Sequence, residues 1–73
     1  MPWKKKQSFE YLNGDGLKVL TVREWCALNG ISEASGKRLI RDGKGPATIQ
    51  LSERRIGIRR VDNARWQESR VRP

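Results

Sequence analysis

Histidine is absent from the chain, and cysteine occurs once, at Cys26. These two shortages exclude an intrachain disulfide framework and a zinc site built from several Cys and His ligands. Catalysis by a histidine base or a Cys–His pair is excluded on the same ground. Acidic residues are scarce: eight Asp and Glu stand against sixteen Lys and Arg, a net charge of +8 on 73 residues. Apolar residues make up 36% of the chain, and no apolar run nears the roughly 18 residues of a membrane span. The basic start, Met1-Pro2-Trp3-Lys4-Lys5-Lys6, is followed by no hydrophobic segment of signal-peptide length. The expectation is an intracellular, cytoplasmic protein, where a lone free thiol is ordinary. This length allows one small domain, whose core must use nearly every large apolar residue. With no nucleophile–base pair and no metal cage, a non-enzyme without cofactor or metal is expected.

What the chain has in excess is cation, and a strong positive balance in a small domain points to a polyanion, nucleic acid being the commonest. The charge is uneven: residues 1–20 carry net +2, residues 21–43 net +1 and residues 44–73 net +5. The last third concentrates arginine, at Arg54, Arg55, Arg59, Arg60, Arg65, Arg70 and Arg72. Arginine matters because its planar fork can grip a phosphate or a guanine edge with two hydrogen bonds.

Residues 1–19 read as an N-terminal arm or as short strands. Asn13-Gly14-Asp15-Gly16 is a turn signal between Phe9, Tyr11, Leu12 and Leu17, Val19, Leu20. Those apolar residues fit a strand pair or extended segments over a helical core equally well. From residue 20 the signals sharpen. Thr21-Val22-Arg23-Glu24 is a capping box, and Val22, Trp25, Cys26 and Asn29 recur at helical spacing until Gly30. Ser32 can cap a second helix from Glu33 to about Asp42, which buries Leu39 and Ile40 and ends at Gly43. Thr48–Leu51 and Ile56–Arg59 alternate with period two, and Ser52-Glu53-Arg54-Arg55 makes a hairpin turn with a basic tip. In this reading Ile49 and Leu51 face the core beside Ile56 and Ile58. Asp62 then caps a final helix to about Arg70, anchored by Trp66.

Two short helices around Asn29-Gly30-Ile31-Ser32 form a helix-turn-helix pattern, and the basic hairpin after it supplies a wing. The fold class is therefore α+β, a winged helix-turn-helix over residues 20–73 with a C-terminal helix. The runs Leu20–Cys26, Gly30-Ile31-Ser32, Lys37–Ile40 and Gly43-Lys44-Gly45-Pro46 resemble the AlpA and excisionase group of small phage and mobile-element regulators, within the MerR-like winged-helix superfamily. Leu51-Ser52 with Arg55, and Asp62 through Trp66 to Arg70, match the wing and closing helix of that group. The likeness covers roughly residues 20–70. Two residues depart from it: Gly36 stands where the group has a β-branched residue or Leu, and Cys26 where it has a small Ala. A mid-helix glycine costs about 1 kcal/mol relative to alanine, so this helix is either locally loose or closely approached by another segment. The 73 residues hold no counterpart of the long dimerisation helix and effector-binding segment of full-length MerR regulators. The resemblance thus implies no metal or drug sensing.

The candidate DNA-binding residues are Glu33, Ala34, Lys37, Arg38 and Arg41 on the second helix, Arg54 and Arg55 on the wing, and Lys4, Lys5 and Lys6 in the arm. Arg38 best fits guanine O6/N7, while Lys37 and Arg41 suit phosphates. Glu33 either complements the helix dipole or accepts from cytosine N4. Arg54 and Arg55 are minor-groove and backbone contacts, or charges that keep a strand edge soluble. The lysine arm is held by phosphates or is a solubilising tail. Trp25, Trp66 and Cys26 belong to the core, and Trp3 packs on it or meets a partner. The resemblance implies duplex DNA as partner, with further protomers on direct repeats and an integrase beside them. It implies an architectural role in excision of a mobile element from a bacterial genome, or transcription regulation in its place. Two rival readings are a basic RNA-binding protein and an interaction module, such as a terminase or antitoxin DNA-binding subunit.

Overall fold

The first two helices open on side-chain caps and close on glycines. In the computed structural model, which describes residues 15–72, α1 (Val22–Leu28) begins at the expected capping box. Thr21 Oγ1 accepts the Glu24 backbone N–H at 3.0 Å, and the Glu24 carboxylate accepts the Thr21 N–H at 2.9 Å. α2 (Glu33–Arg41) begins where the Ser32 hydroxyl accepts the Ser35 N–H at 3.1 Å. Each helix ends in a Schellman motif. Gly30 N–H donates to Ala27 and Ile31 N–H to Cys26 after α1, and Gly43 N–H donates to Ile40 and Lys44 N–H to Leu39 after α2. Both glycines take positive φ, +67° and +72°, which other residues adopt only with strain.

The strands β1 (Val19–Thr21), β2 (Ile49–Ser52) and β3 (Arg55–Arg59) form an antiparallel sheet in the order β1-β3-β2. Val19 and Leu20 therefore do lie in a strand. Its partner is β3, with Leu20 opposite Ile58; Phe9, Tyr11 and Leu12 lie outside the described residues. A 3-10 turn, Asp15–Leu17, precedes β1 and packs on α3 (Arg60–Ser69). Residue 20, where the winged domain was expected to begin, falls within β1.

Leu20, Trp25, Cys26 and Ile58 are the buried core, with Val22, Ile31, Leu39, Ile40 and Trp66 packed against it. Trp25 is the hub. Its indole N–H donates to Asn63 Oδ1 at 3.1 Å, and its ring meets Trp66 edge-on with centroids 5.2 Å apart. A buried tryptophan needs such an acceptor for its one polar atom. Asn29 Nδ2 donates to the same Asn63 oxygen at 3.0 Å, and Gln67 Nε2 donates to Asn29 Oδ1 at 2.8 Å, so α1 and α3 are tied by a side-chain chain.

Three expectations need correction. The hairpin turn is tighter than the four residues anticipated: Ser52 pairs with Arg55, leaving Glu53 and Arg54 at the tip and Arg55 in β3. Leu51 does not face the core. The register of β2 on β3 puts Leu51 on the outer face, half exposed and lying with Val19 over Gly57, and pairing slips between Gln50 and Ser52. Ile49, opposite Gly57, shares that outer face, and Ile58 faces the core with Leu20. Lastly, Asp62 does not cap α3. β3 runs straight into the helix because Arg60 N–H donates to Lys18 O at 2.9 Å, so the cap position is Arg59, without a side-chain cap. Asp62 sits inside the first turn, buried, where its carboxylate receives the Arg59 guanidinium at 2.6 and 3.1 Å.

Candidate nucleic-acid interface

Gly36 explains how α2 is seated. A Cβ added there would strike Cys26 Sγ and come within 2.9 Å of Trp25 Cζ3. The helix is thus closely approached rather than loose, and the two departures from the family pattern form one size-matched pair. A larger residue on α1 fills the space that a smaller one on α2 vacates. Burial pushes the Cys26 thiol above its ordinary pKa, with Glu33 adding to the effect. The group is a packed hydrophobe rather than a thiolate.

This seating leaves Glu33, Ala34, Lys37, Arg38 and Arg41 exposed on α2. They do not share one role. Glu33 pairs with Lys37 one turn on, at 3.8 Å, and with Arg23 of α1, at 3.5 Å. Arg41 Nε lies 3.7 Å from Asp42. Such exposed pairs are worth little in stability, about 0–1 kcal/mol, so the cations stay free to exchange partners.

A cleft of about 470 Å³ separates α2 from the wing. Lys37 and Arg41 from α2 face Arg54 and Arg55 from the wing across it, above an apolar floor of Val22, Ile40, Leu51 and Ile56. The structure thus brings together four of the expected residues. Arg38, Ala34 and Glu33 lie on α2 outside the cleft, and Lys4, Lys5 and Lys6 lie outside the described residues. Arg59 is occupied by Asp62, whose hydrogen bond and charge raise its pKa further. Arg70 stacks over Trp66 at 5.7 Å, and Trp66 donates its indole N–H to Lys44 O at 2.8 Å. Two of the seven arginines in the last third, Arg59 and Arg70, thus sit in contacts at the ends of α3.

Sequence reasoning missed Arg23 and the floor of the cleft. Arg23 carried a signal, since its charge is opposite to that of Glu33 across the helix-turn-helix. Leu51 carried none, because the face of β2 is set by its register against β3 and leaves no local mark.

The family model described as Prophage CP4-57 regulatory protein (AlpA) matches residues 18–71. The chain belongs to this family. The match begins at Lys18, whose carbonyl accepts the first N–H of α3, and ends just past that helix. AlpA membership makes the chain a small phage-type regulatory protein of the DNA-binding kind, and the α+β architecture fits a winged helix-turn-helix. No curated protein and no solved structure matches the chain. Among the described residues, no helix is long and apolar enough to cross a membrane.

Proposed function

We propose that residues 20–73 act as a sequence-specific duplex-DNA-binding domain, with α2 in the major groove and the β2–β3 wing on the neighbouring backbone. The observation that carries this reading is the cleft with Lys37 and Arg41 on one rim and Arg54 and Arg55 on the other. Cations on both walls suit a phosphodiester backbone passing between a helix in one groove and a wing at the next. Arg38, outside the cleft on the exposed surface of α2, is the residue for guanine readout, with Ala34 and Glu33 beside it. Lys4, Lys5 and Lys6, outside the described residues, add phosphate contacts in this reading.

The role proposed is architectural: protomers set on direct repeats shape the DNA so that an integrase excises the mobile element. Transcription regulation is the second reading, and the family's description as regulatory supports it equally. Footprinting the DNA that flanks the gene, followed by bend mapping and an excision assay with a candidate integrase, separates the two. A bent multi-protomer footprint with stimulated excision supports the first. A promoter footprint with altered transcription and no effect on excision supports the second. Preference for structured RNA over duplex DNA at matched salt would overturn both.

A further inference from the structure

The floor of the α2–wing cleft has the wrong chemistry for reading bases and the right chemistry for a sugar. Val22, Ile40, Leu51 and Ile56 offer no hydrogen-bonding side chain, and among the described residues no carboxylate lines the cleft. The one uncharged polar residue among them, Thr21, has its hydroxyl oxygen accepting the Glu24 N–H. A base edge laid on this floor would lose its hydrogen bonds. A backbone repeat would instead put phosphates against the cationic rims and an apolar C2′ methylene against the floor. Leu51 is placed there by the register of β2 on β3, and its Cδ1 lies 3.0 Å from where a Cβ on Gly57 would sit. The absence of a side chain at Gly57 is what gives Leu51 its seat.

We propose that this cleft seats the sugar-phosphate backbone of one DNA strand, and that Leu51, with Ile40, selects deoxyribose over ribose. The proposal rests on the duplex-DNA reading above. A ribose 2′-hydroxyl pressed on this floor loses water and gains no partner, which weakens binding about tenfold.

The test walks single ribonucleotides through both strands of the footprinted duplex and measures affinity by fluorescence anisotropy. A parallel set carries 2′-fluoro sugars, which share the ribose pucker preference but bring no hydroxyl. For the native chain, a 2′-hydroxyl at the seated sugars weakens binding about tenfold, whereas 2′-fluoro leaves it near the all-deoxy value. Leu51→Asn supplies a partner and shrinks the hydroxyl penalty to about twofold, while Leu51→Met retains it. Leu51 is half exposed, so both variants keep the fold, and matching thermal melts check this. Equal losses with hydroxyl and fluoro, or an unchanged penalty in Leu51→Asn, overturn the sugar selection alone. Failure of the native chain to hold the all-deoxy duplex removes the DNA reading and this proposal together.

Discussion

In the α1–α2 half of the molecule, each helix boundary is set by residues a few positions away. Thr21 with Glu24, and Ser32 with Ser35, start the helices; Gly30 and Gly43 end them. In the wing and α3, the corresponding boundaries are set by distant partners. The bulge at Leu51 exists through pairing with β3, and α3 starts where Arg60 N–H finds Lys18 O. The two walls of the cleft are thus built differently: α2 is locally encoded and core-seated, while the wing is held by strand register, with α3 behind it tied to α1. Damage to the first should act through packing, and damage to the second through lost polar contacts.

The sharpest way to break the helix-turn-helix half is to enlarge Gly36. Gly36→Val drives side-chain atoms into Cys26 Sγ and Trp25, and is expected to cost about 3 kcal/mol or more. Gly36→Ala sets two effects against each other. Helix propensity favours it by about 1 kcal/mol, while overpacking opposes it by about 1–3 kcal/mol, so a net loss is expected. Cys26→Ala combined with Gly36→Ala should recover at least half of that loss in a double-mutant cycle read by urea melts. A stabilising Gly36→Ala would show the helix to be loose and refute the size-matched pair.

The two walls should also differ on DNA. Arg38→Ala is expected to cost about 2 kcal/mol in specific binding and to relax preference at one base position. Replacing Arg54 and Arg55 together should weaken binding to all sequences alike and flatten the salt dependence by about two contacts' worth. Anisotropy titrations over a salt series read both. A uniform loss for Arg38→Ala would make it a phosphate contact, and an unchanged salt slope for the wing pair would remove the wing from the interface.

This contrast also explains what could be read without coordinates. Caps and stop glycines are local chemistry, so both helices of the helix-turn-helix, their order and the exposed set from Glu33 to Arg41 were legible. The alternation of Ile56 and Ile58 revealed β3, but the face taken by Ile49 and Leu51 was not legible, since it depends on the register of β2 against β3. Asp62 looked like a cap because capping is a local habit of Asp. The tertiary bond from Arg60 to Lys18 overrode it and moved the helix cap three residues back, from Asp62 to Arg59. The convergence of Lys37 and Arg41 with Arg54 and Arg55 was likewise invisible, because no spacing along the chain specifies a cleft.

On the α3 side, Asn63→Ala removes the acceptor shared by the Trp25 indole and Asn29 and leaves a buried donor unpaired. The expected loss is about 1.5 kcal/mol. Gln67→Ala, which cuts an exposed link of the same chain, should cost well under half as much. Equal losses in thermal melts would mean that α3 is held by packing on Trp66 alone, and that polar ties do not distinguish the two halves.

The smallest effect expected is the pH dependence of the cap on α1. The Thr21 backbone N–H and then the Thr21 hydroxyl hold the Glu24 carboxyl below its ordinary pKa, with Lys18 and Arg60 adding to the shift. A carboxyl depressed in the folded state contributes stability above its unfolded pKa, and that contribution is lost as pH falls through the folded value. Glu24→Gln keeps an acceptor for the Thr21 N–H but cannot titrate. The native chain should therefore melt slightly higher than Glu24→Gln at neutral pH, and the gap should close as pH falls through the carboxylate range. The amides of the first turn of α1 should therefore loosen at acid pH in the native chain and change less in Glu24→Gln. Hydrogen exchange at that turn in the two chains reads this directly, and equal loosening in both would show that the carboxylate does not hold the local cap.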